Sequence, residues 1–408
     1  MTSADQMHKS FPRDHFRKPL QETPFYPRIS ELSTTHDWHG WAGYLAAGVI
    51  ANESTEYFSI RNSTSVFDIT PMVKYRITGP DAAALLDKMT LRDITKLAPG
   101  RVQYTAWCND DGKVIDDGTL FRRSADEFIL FCQERHFAWL CDSAVGFDVS
   151  IGDVSEDFAG LSVQGPTSCT VLKEAGFTGI ETLKPFGIRD FVIDEAAIMV
   201  SRTGFTGDLG YELVLSPDNA LGLWDRLFDA GALYGITSIG SNALNLARLE
   251  AGFIATNSDF VSAATAIRAE RRRSPFEIGL GWMIAFDKAA HFTGRKALLR
   301  ERDSGSSRYA LVGLDTEGNV PAVDSLVYLN GNKEIGHVTA AAWSPTAKRN
   351  IAIASLQSKY VGKDNDNLWV EIYTLRELGW RKLKVRTAIV ERPFFTHKRR
   401  SATPPAAF

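Results

Sequence analysis

Two short stretches carry acidic side chains where the surrounding backbone would hold them against a ligand. In the first, Asn109-Asp110-Asp111-Gly112 is followed closely by Asp116-Asp117-Gly118, placing four aspartates within eight residues. Such a cluster suits either a cation or acid–base work. Calcium is disfavoured, because the alternating Asp-x-Asp-x-Asp-Gly spacing and the closing Glu of a calcium loop are absent. In the second, Gly204, Gly207 and Gly210 fall within seven residues and lead directly into Tyr211-Glu212-Leu213. Neither Gly-x4-Gly-Lys-Ser/Thr nor Gly-x-Gly-x-x-Gly is present there, so phosphate and dinucleotide loops are excluded. Glycine permits close approach of backbone or ligand. The stretch therefore reads as a turn that delivers one carboxylate, Glu212, to whatever lies against it.

Both stretches lie among strand signals. Phe191 to Asp194 and Ala197 to Val200 read as strands before the glycine-rich turn, and Tyr211 to Leu215 as a strand after it. Residues 101–132 read as short strands separated by two Asp-Gly turns, which would leave Asp116 and Asp117 in the second turn. Helices are expected over 52–62, 82–89, 167–175, 217–230 and 241–250. Gly79-Pro80-Asp81 marks one helix start, since proline is pre-set for the first turn. Beyond residue 310 closely spaced short strands, with a turn at Asn330-Gly331, predict a small all-β barrel or sandwich. Pro12, Pro19, Pro24 and Pro27 suit a surface arm at the N-terminus, and the stretch after Lys398 suits a flexible tail.

Composition narrows the partners. The 408 residues carry a net charge of -3, which gives no reason to expect nucleic acid or an anionic membrane. No apolar run reaches the roughly 18 residues of a membrane helix. The polar N-terminus lacks a secretory h-region, so a cytoplasmic location is expected. The four cysteines lack Cys-x-x-Cys spacing and the eight histidines are scattered, so neither a disulfide frame nor a metal site is expected.

Several motifs, in one order, resemble the glycine-cleavage aminomethyltransferase (T-protein) family and its folate-dependent demethylase branch. They are Asp37-Trp38-His39-Gly40-Trp41, Val66 to Ile69, Asn109 through Asp117, and Val163-Gln164-Gly165-Pro166. Arg202 to Gly207, Gly210-Tyr211-Glu212, Arg248 to Gly252, Ser274 to Glu277 with Gly281-Trp282, Phe292 to Leu298 and Ser344-Pro345-Thr346 follow. The resemblance implies an α+β, three-domain cloverleaf of mixed and antiparallel sheets with helices and a C-terminal β-barrel. Its parts here would be an arm (1–30), a folate-binding domain (31–74 and 157–255), a second α+β domain (75–156 and 256–294), the barrel (295–397) and a tail (398–408). It also implies tetrahydrofolate as the one-carbon acceptor. Glu212 would hold the pterin ring and Asp116 would sit beside N5 as the catalytic carboxylate, with Asp117 as its competitor. Tyr104 would line the folate site. Arg248 is assigned either to that site or to the fold, and Trp282 either to the cofactor or to the core.

The departures bear on the donor. Where the family has Ala-Arg-Asp, this chain has Ala243-Leu244-Asn245, and Thr256-Asn257 replaces the family's Tyr-Gly. These changes favour a tetrahydrofolate-dependent methyltransferase that demethylates a small O-, N- or S-methylated compound, acting as monomer or homodimer. The alternatives are the aminomethyltransferase reaction on an aminomethyl-lipoyl carrier protein, and a folate-binding module without catalysis.

Overall fold

The computed structural model describes residues 19–362 and 367–404. Three large sheets organise the chain, beside a two-stranded ribbon of Trp38–Trp41 and Tyr44–Ala47. A six-stranded mixed sheet runs in the spatial order Ile188–Ile193, Ala196–Ser201, Gly210–Leu215, Ala159–Gln164, Thr64–Asp68, Ile236–Ser238, with only the last pair parallel. A five-stranded antiparallel sheet runs Arg101–Cys108, Val114–Arg122, Glu127–Cys132, Val73–Thr78, Ser150–Asp153. Six strands between Tyr309 and Val390 close into a barrel. The fold is thus α+β with a C-terminal barrel, as the motif series implies.

Each unit has its own core. Leu161, Val163, Val200, Tyr211 and Leu213 pack under the helices Ser168–Glu174 and Ala220–Gly231. Tyr75, Ile77, Leu120 and Leu130 pack under Ala82–Met89. Val214 of the first sheet joins Val102, Phe121, Ile129 and Phe131 of the second, so the two sheets share an apolar seam. A further cluster, including Leu249, Ile278, Phe292, Leu311 and Ile353, ties the barrel to both. The helices Glu53–Asn62 and Ser241–Glu250 are bolted together by a buried ion pair, Arg61 Nη2 to Glu250 at 2.6 Å. Asn52 caps the first of them, accepting from the Thr55 N–H at 3.0 Å.

Three expectations are revised. The Asp116-Asp117-Gly118 segment is not a turn: it lies inside the strand Val114–Arg122. Glycine is needed there because a Cβ on Gly118 would lie 2.3 Å from the Phe131 carbonyl oxygen of the neighbouring strand. The N-terminal segment does more than lie on the surface. Residues 1–18 fall outside the described residues, but Phe25 is buried in the first core and Tyr26–Leu32 form a helix. Residues 398–404 are not a loose tail: Arg399 donates to Asp208 at 2.8 Å and to the Arg61 carbonyl at 3.0 Å, and Arg202 donates to the Ala402 carbonyl. Residues 405–408 lie outside the described residues. No helix among the described residues is long and apolar enough to cross a membrane.

Candidate active site

A cavity of about 2100 Å3 opens where the three sheets meet. Small-molecule sites usually occupy about 300–1,000 Å3, so this one has room for two reactants at once. Its walls include Gly204, Gly210 and Glu212 from the first sheet, Tyr104 and Asp117 from the second, and Leu311 from the barrel.

Glu212 stands opposite Ser201 in the antiparallel register, two residues into its strand. One oxygen accepts a hydrogen bond from the Thr203 hydroxyl, which is itself 2.6 Å from Ser201 Oγ. Among the described residues Thr203 is its only hydrogen-bond partner. Burial pushes the Glu212 carboxyl above its usual range. A carboxylate with one oxygen committed and one available in a cavity wall fits a ligand that offers adjacent N–H donors.

The glycine-rich loop owes its shape to Gln164, a protein neighbour, and not chiefly to ligand approach. The Gln164 amide donates to the carbonyls of Thr203 and Tyr211 at 3.2 and 3.3 Å and accepts from Thr206 at 3.0 Å. Side chains at Gly204 or Gly210 would meet it at 2.0 and 2.1 Å. The glycines let the Gln164 amide lie flat across the loop and so hold the start of the Glu212 strand.

Asp116 does not line the cavity. Successive side chains on a strand face opposite ways, and the pairing Ala106↔Asp117 places Asp117 on the face that Tyr104 shares. Tyr104 donates from its hydroxyl to Asp117 Oδ2 at 2.7 Å, and Thr256 Oγ1 lies 2.9 Å from Asp117 Oδ1. Burial first, and then the charge of Asp116, push the Asp117 carboxyl up to about 7. Asp116 points the other way and is fully enclosed. Its Oδ1 accepts from the Asp117 N–H at 2.9 Å and lies 2.7 Å from Thr256 Oγ1. Its Oδ2 accepts from the Glu134 N–H at 3.1 Å and lies 2.9 Å from His136 Nε2. The cavity-facing carboxylate is therefore Asp117, the competitor, and not Asp116, which the resemblance placed beside N5.

Arg248 borders the cavity, yet every guanidinium nitrogen is spent on protein. Nε reaches Asn245 at 2.8 Å, Nη1 the Phe253 carbonyl at 3.0 Å and the Asp259 carboxylate, and Nη2 Ser258 at 3.1 Å. These contacts hold the loop that carries Thr256. Trp282 is no core residue: it is 66% exposed at the cavity rim, with the Arg92 guanidinium 5.6 Å from its ring centroid. Leu244 and Asn245 also line the cavity. Thr256 and His136, which sequence reasoning did not single out as site residues, complete the cluster. The antiparallel pairing of Tyr104's strand with the aspartates was the available signal for Asp117. No local pattern marked His136.

Comparison with known proteins agrees with this architecture. Residues 31–288 match the GCVT N-terminal domain, and residues 310–395 match the glycine cleavage T-protein C-terminal barrel domain. An aminomethyltransferase from Anoxybacillus flavithermus is 32% identical over 384 residues, covering 92% of this chain and 99% of the relative. One from Bacillus subtilis is 30% identical over 387 residues, with 92% and 99% covered. The crystal structure of glycine cleavage system aminomethyltransferase T from Bartonella henselae matches with a TM-score of 0.80 at 23% identity, covering 92% of this chain and 98% of that one. That likeness is one of fold.

Proposed function

Because the chain belongs to the glycine-cleavage T-protein family, we propose that it is a tetrahydrofolate-dependent one-carbon transferase whose acid–base group is Asp117. The observation that carries this reading is the pair of cavity carboxylates on walls from two different sheets, Glu212 with an oxygen to spare and Asp117 poised near neutrality. A pterin presents adjacent N–H donors, and Glu212 suits them. When bound, tetrahydrofolate supplies N5, the nitrogen that accepts the carbon. Glu212 would orient the ring through a planar, charge-assisted pair. Asp117, steadied by Tyr104, would hold or release a proton beside the reacting nitrogen, which is most effective when the carboxyl titrates near the working pH.

For the donor, the relatives favour an aminomethyl group carried on a lipoyl carrier protein, with ammonia released. At 30–32% identity across nearly their whole length they bear the aminomethyltransferase name, and this outweighs the demethylase reading that the departures alone favour. A small methylated donor stands as the second reading. Its support is local: Leu244 puts an apolar side chain in the cavity wall where the family carries an arginine, and Thr256 replaces a tyrosine beside Asp117. One experiment separates them. The protein is incubated with tetrahydrofolate and either an aminomethyl-loaded lipoyl carrier protein or a panel of methylated compounds, and one-carbon folates are followed by mass spectrometry. Ammonia release with the carrier alone supports the first reading. Product with a methylated compound alone supports the second. Binding of tetrahydrofolate with no product from either would leave a binding module.

Glu212→Gln is expected to weaken tetrahydrofolate binding by about ten- to a hundredfold, the loss of a charge-assisted hydrogen bond worth roughly 1.5–3 kcal/mol. Calorimetric titration reads this directly. Unchanged affinity would remove Glu212 from the pterin site.

A further inference from the structure

The Thr256 hydroxyl sits between two carboxylates, 2.7 Å from Asp116 Oδ1 and 2.9 Å from Asp117 Oδ1. A hydroxyl owns one proton and can donate it only once. Two short contacts to carboxylate oxygens therefore require a second proton from somewhere. Asp116 has no place for it. Its two oxygens already face the Asp117 N–H, the Glu134 N–H, Thr256 and His136 Nε2, filling the roughly four acceptor directions of a carboxylate. Asp117 Oδ2 accepts from Tyr104 at 2.7 Å. The one acceptor position still lacking a donor is the contact between Asp117 Oδ1 and Thr256.

We propose that Thr256 is a positioning residue that fixes a proton on Asp117: its hydroxyl donates to Asp116 and accepts from the Asp117 carboxyl, which rests in its protonated form. His136, donating from Nε2 to the far side of Asp116, keeps that polarity in place. Burial, and then the charge of Asp116, favour the neutral form of the Asp117 carboxyl. The other groups facing the cluster leave it unopposed. Cys132 is a buried thiol, pushed further toward its neutral form by the nearby carboxylates. Glu134 is raised by burial and by Asp116, and it accepts from Asn257 at 2.6 Å. On the Thr256 loop side, Arg248 is committed to Asp259. His136 is wedged against the Trp107 ring, 5.6 Å away edge to face, and its backbone N–H donates to the Tyr75 hydroxyl at 2.7 Å. When Asp117 gives up its proton, a carboxylate remains, and a proton taken from the cavity side restores the resting form.

The functional meaning of this proton rests on the reading of Asp117 as the acid–base group. The assignment itself is tested without cofactor or donor. The ligand-free protein, labelled with 13C at the aspartate side-chain carboxyls, is titrated by NMR. One resonance is expected to titrate about two units or more above ordinary aspartates, and to vanish in Asp117→Asn. Thr256→Val removes the hydroxyl while keeping the branched shape, and is expected to lower that midpoint by about one unit. Thr256→Ser is expected to restore it. His136→Phe, which acts only through Asp116, is expected to shift it the same way. The sign is decisive. If Thr256 donates to an ionised Asp117, Thr256→Val raises the midpoint. A rise, or no movement in either Thr256→Val or His136→Phe, overturns the proposal. Loss of turnover in Asp117→Asn is a separate measurement, so the proton assignment and the functional reading can fail independently.

Discussion

Asp117→Asn is expected to reduce turnover by about 10²–10⁴-fold, the usual worth of a positioned acid–base group, while tetrahydrofolate still binds. The substitution keeps size and polarity and preserves a partner for Tyr104 and Thr256, but it abolishes titration. The pH–rate profile of the variant should therefore lose its inflection near neutrality. Asp116→Asn is expected to behave differently. Its new NH2 would be thrust among the N–H of Glu134, the N–H of Asp117, Thr256 and His136. Facing donors with a donor leaves buried groups unsatisfied, at roughly 1–3 kcal/mol each. That variant should lose stability first, and activity only as Asp117 is disturbed. If instead Asp117→Asn turns over normally and Asp116→Asn is dead but stable, the roles of the two aspartates are the reverse.

The same carboxyl sets a pH dependence of stability. The native Asp117 holds its proton up to about 7, against an ordinary value of 3.8. Between these values the native state binds more protons than the unfolded state, so this group makes stability fall as pH rises through the window and level off above it. Denaturant melts of the ligand-free protein across that range should show a decline that is smaller in Asp117→Asn.

Much of this site follows from the sequence once pairing is considered. The glycine-rich turn between two strands and the carboxylate placed just after it are local signals, and Glu212 lies where they put it. The barrel was legible because short strands and turn residues recur at close spacing. The aspartate pair was not legible locally. Asp-Gly is a strong turn dipeptide, and only the Phe131 carbonyl, arriving from a neighbouring strand, explains a glycine in mid-strand at position 118. The choice between Asp116 and Asp117 is a question of strand face, which a one-residue slip inverts. It is answered by the register with Tyr104. The glycines of the turn have a cause that lies about forty residues earlier, in Gln164. The packing of residues 398–404 depends on Asp208 and Arg202, charges that no property of the terminal residues themselves reveals.

Arg248→Leu is expected to cost about 3–5 kcal/mol of stability, the range for breaking a buried ion pair by removing one partner. Arg248 is 1% exposed, and its partner Asp259 is 4% exposed. Without the guanidinium, Asp259 would keep among the described residues the hydrogen bonds from the Ala255 N–H at 2.9 Å and the Thr339 hydroxyl at 2.5 Å, with the Arg392 cation nearby. The denaturant midpoint should fall with little change in slope. Arg248→Lys should also lose stability, because an ammonium cannot reproduce a planar fork that reaches Asn245, Phe253, Ser258 and Asp259 together. The double change Arg248→Met with Asp259→Leu separates stability from function. Replacing both charges by apolar groups removes the stranded carboxylate and should recover much of the stability. It leaves the loop from Phe253 to Asp259 without its clamp, so Thr256 is no longer held between the two aspartates. A double variant that is stable but slow would show that the Arg248–Asp259 pair serves the site by presenting Thr256. One that is both stable and fully active would reduce the pair to a packing element.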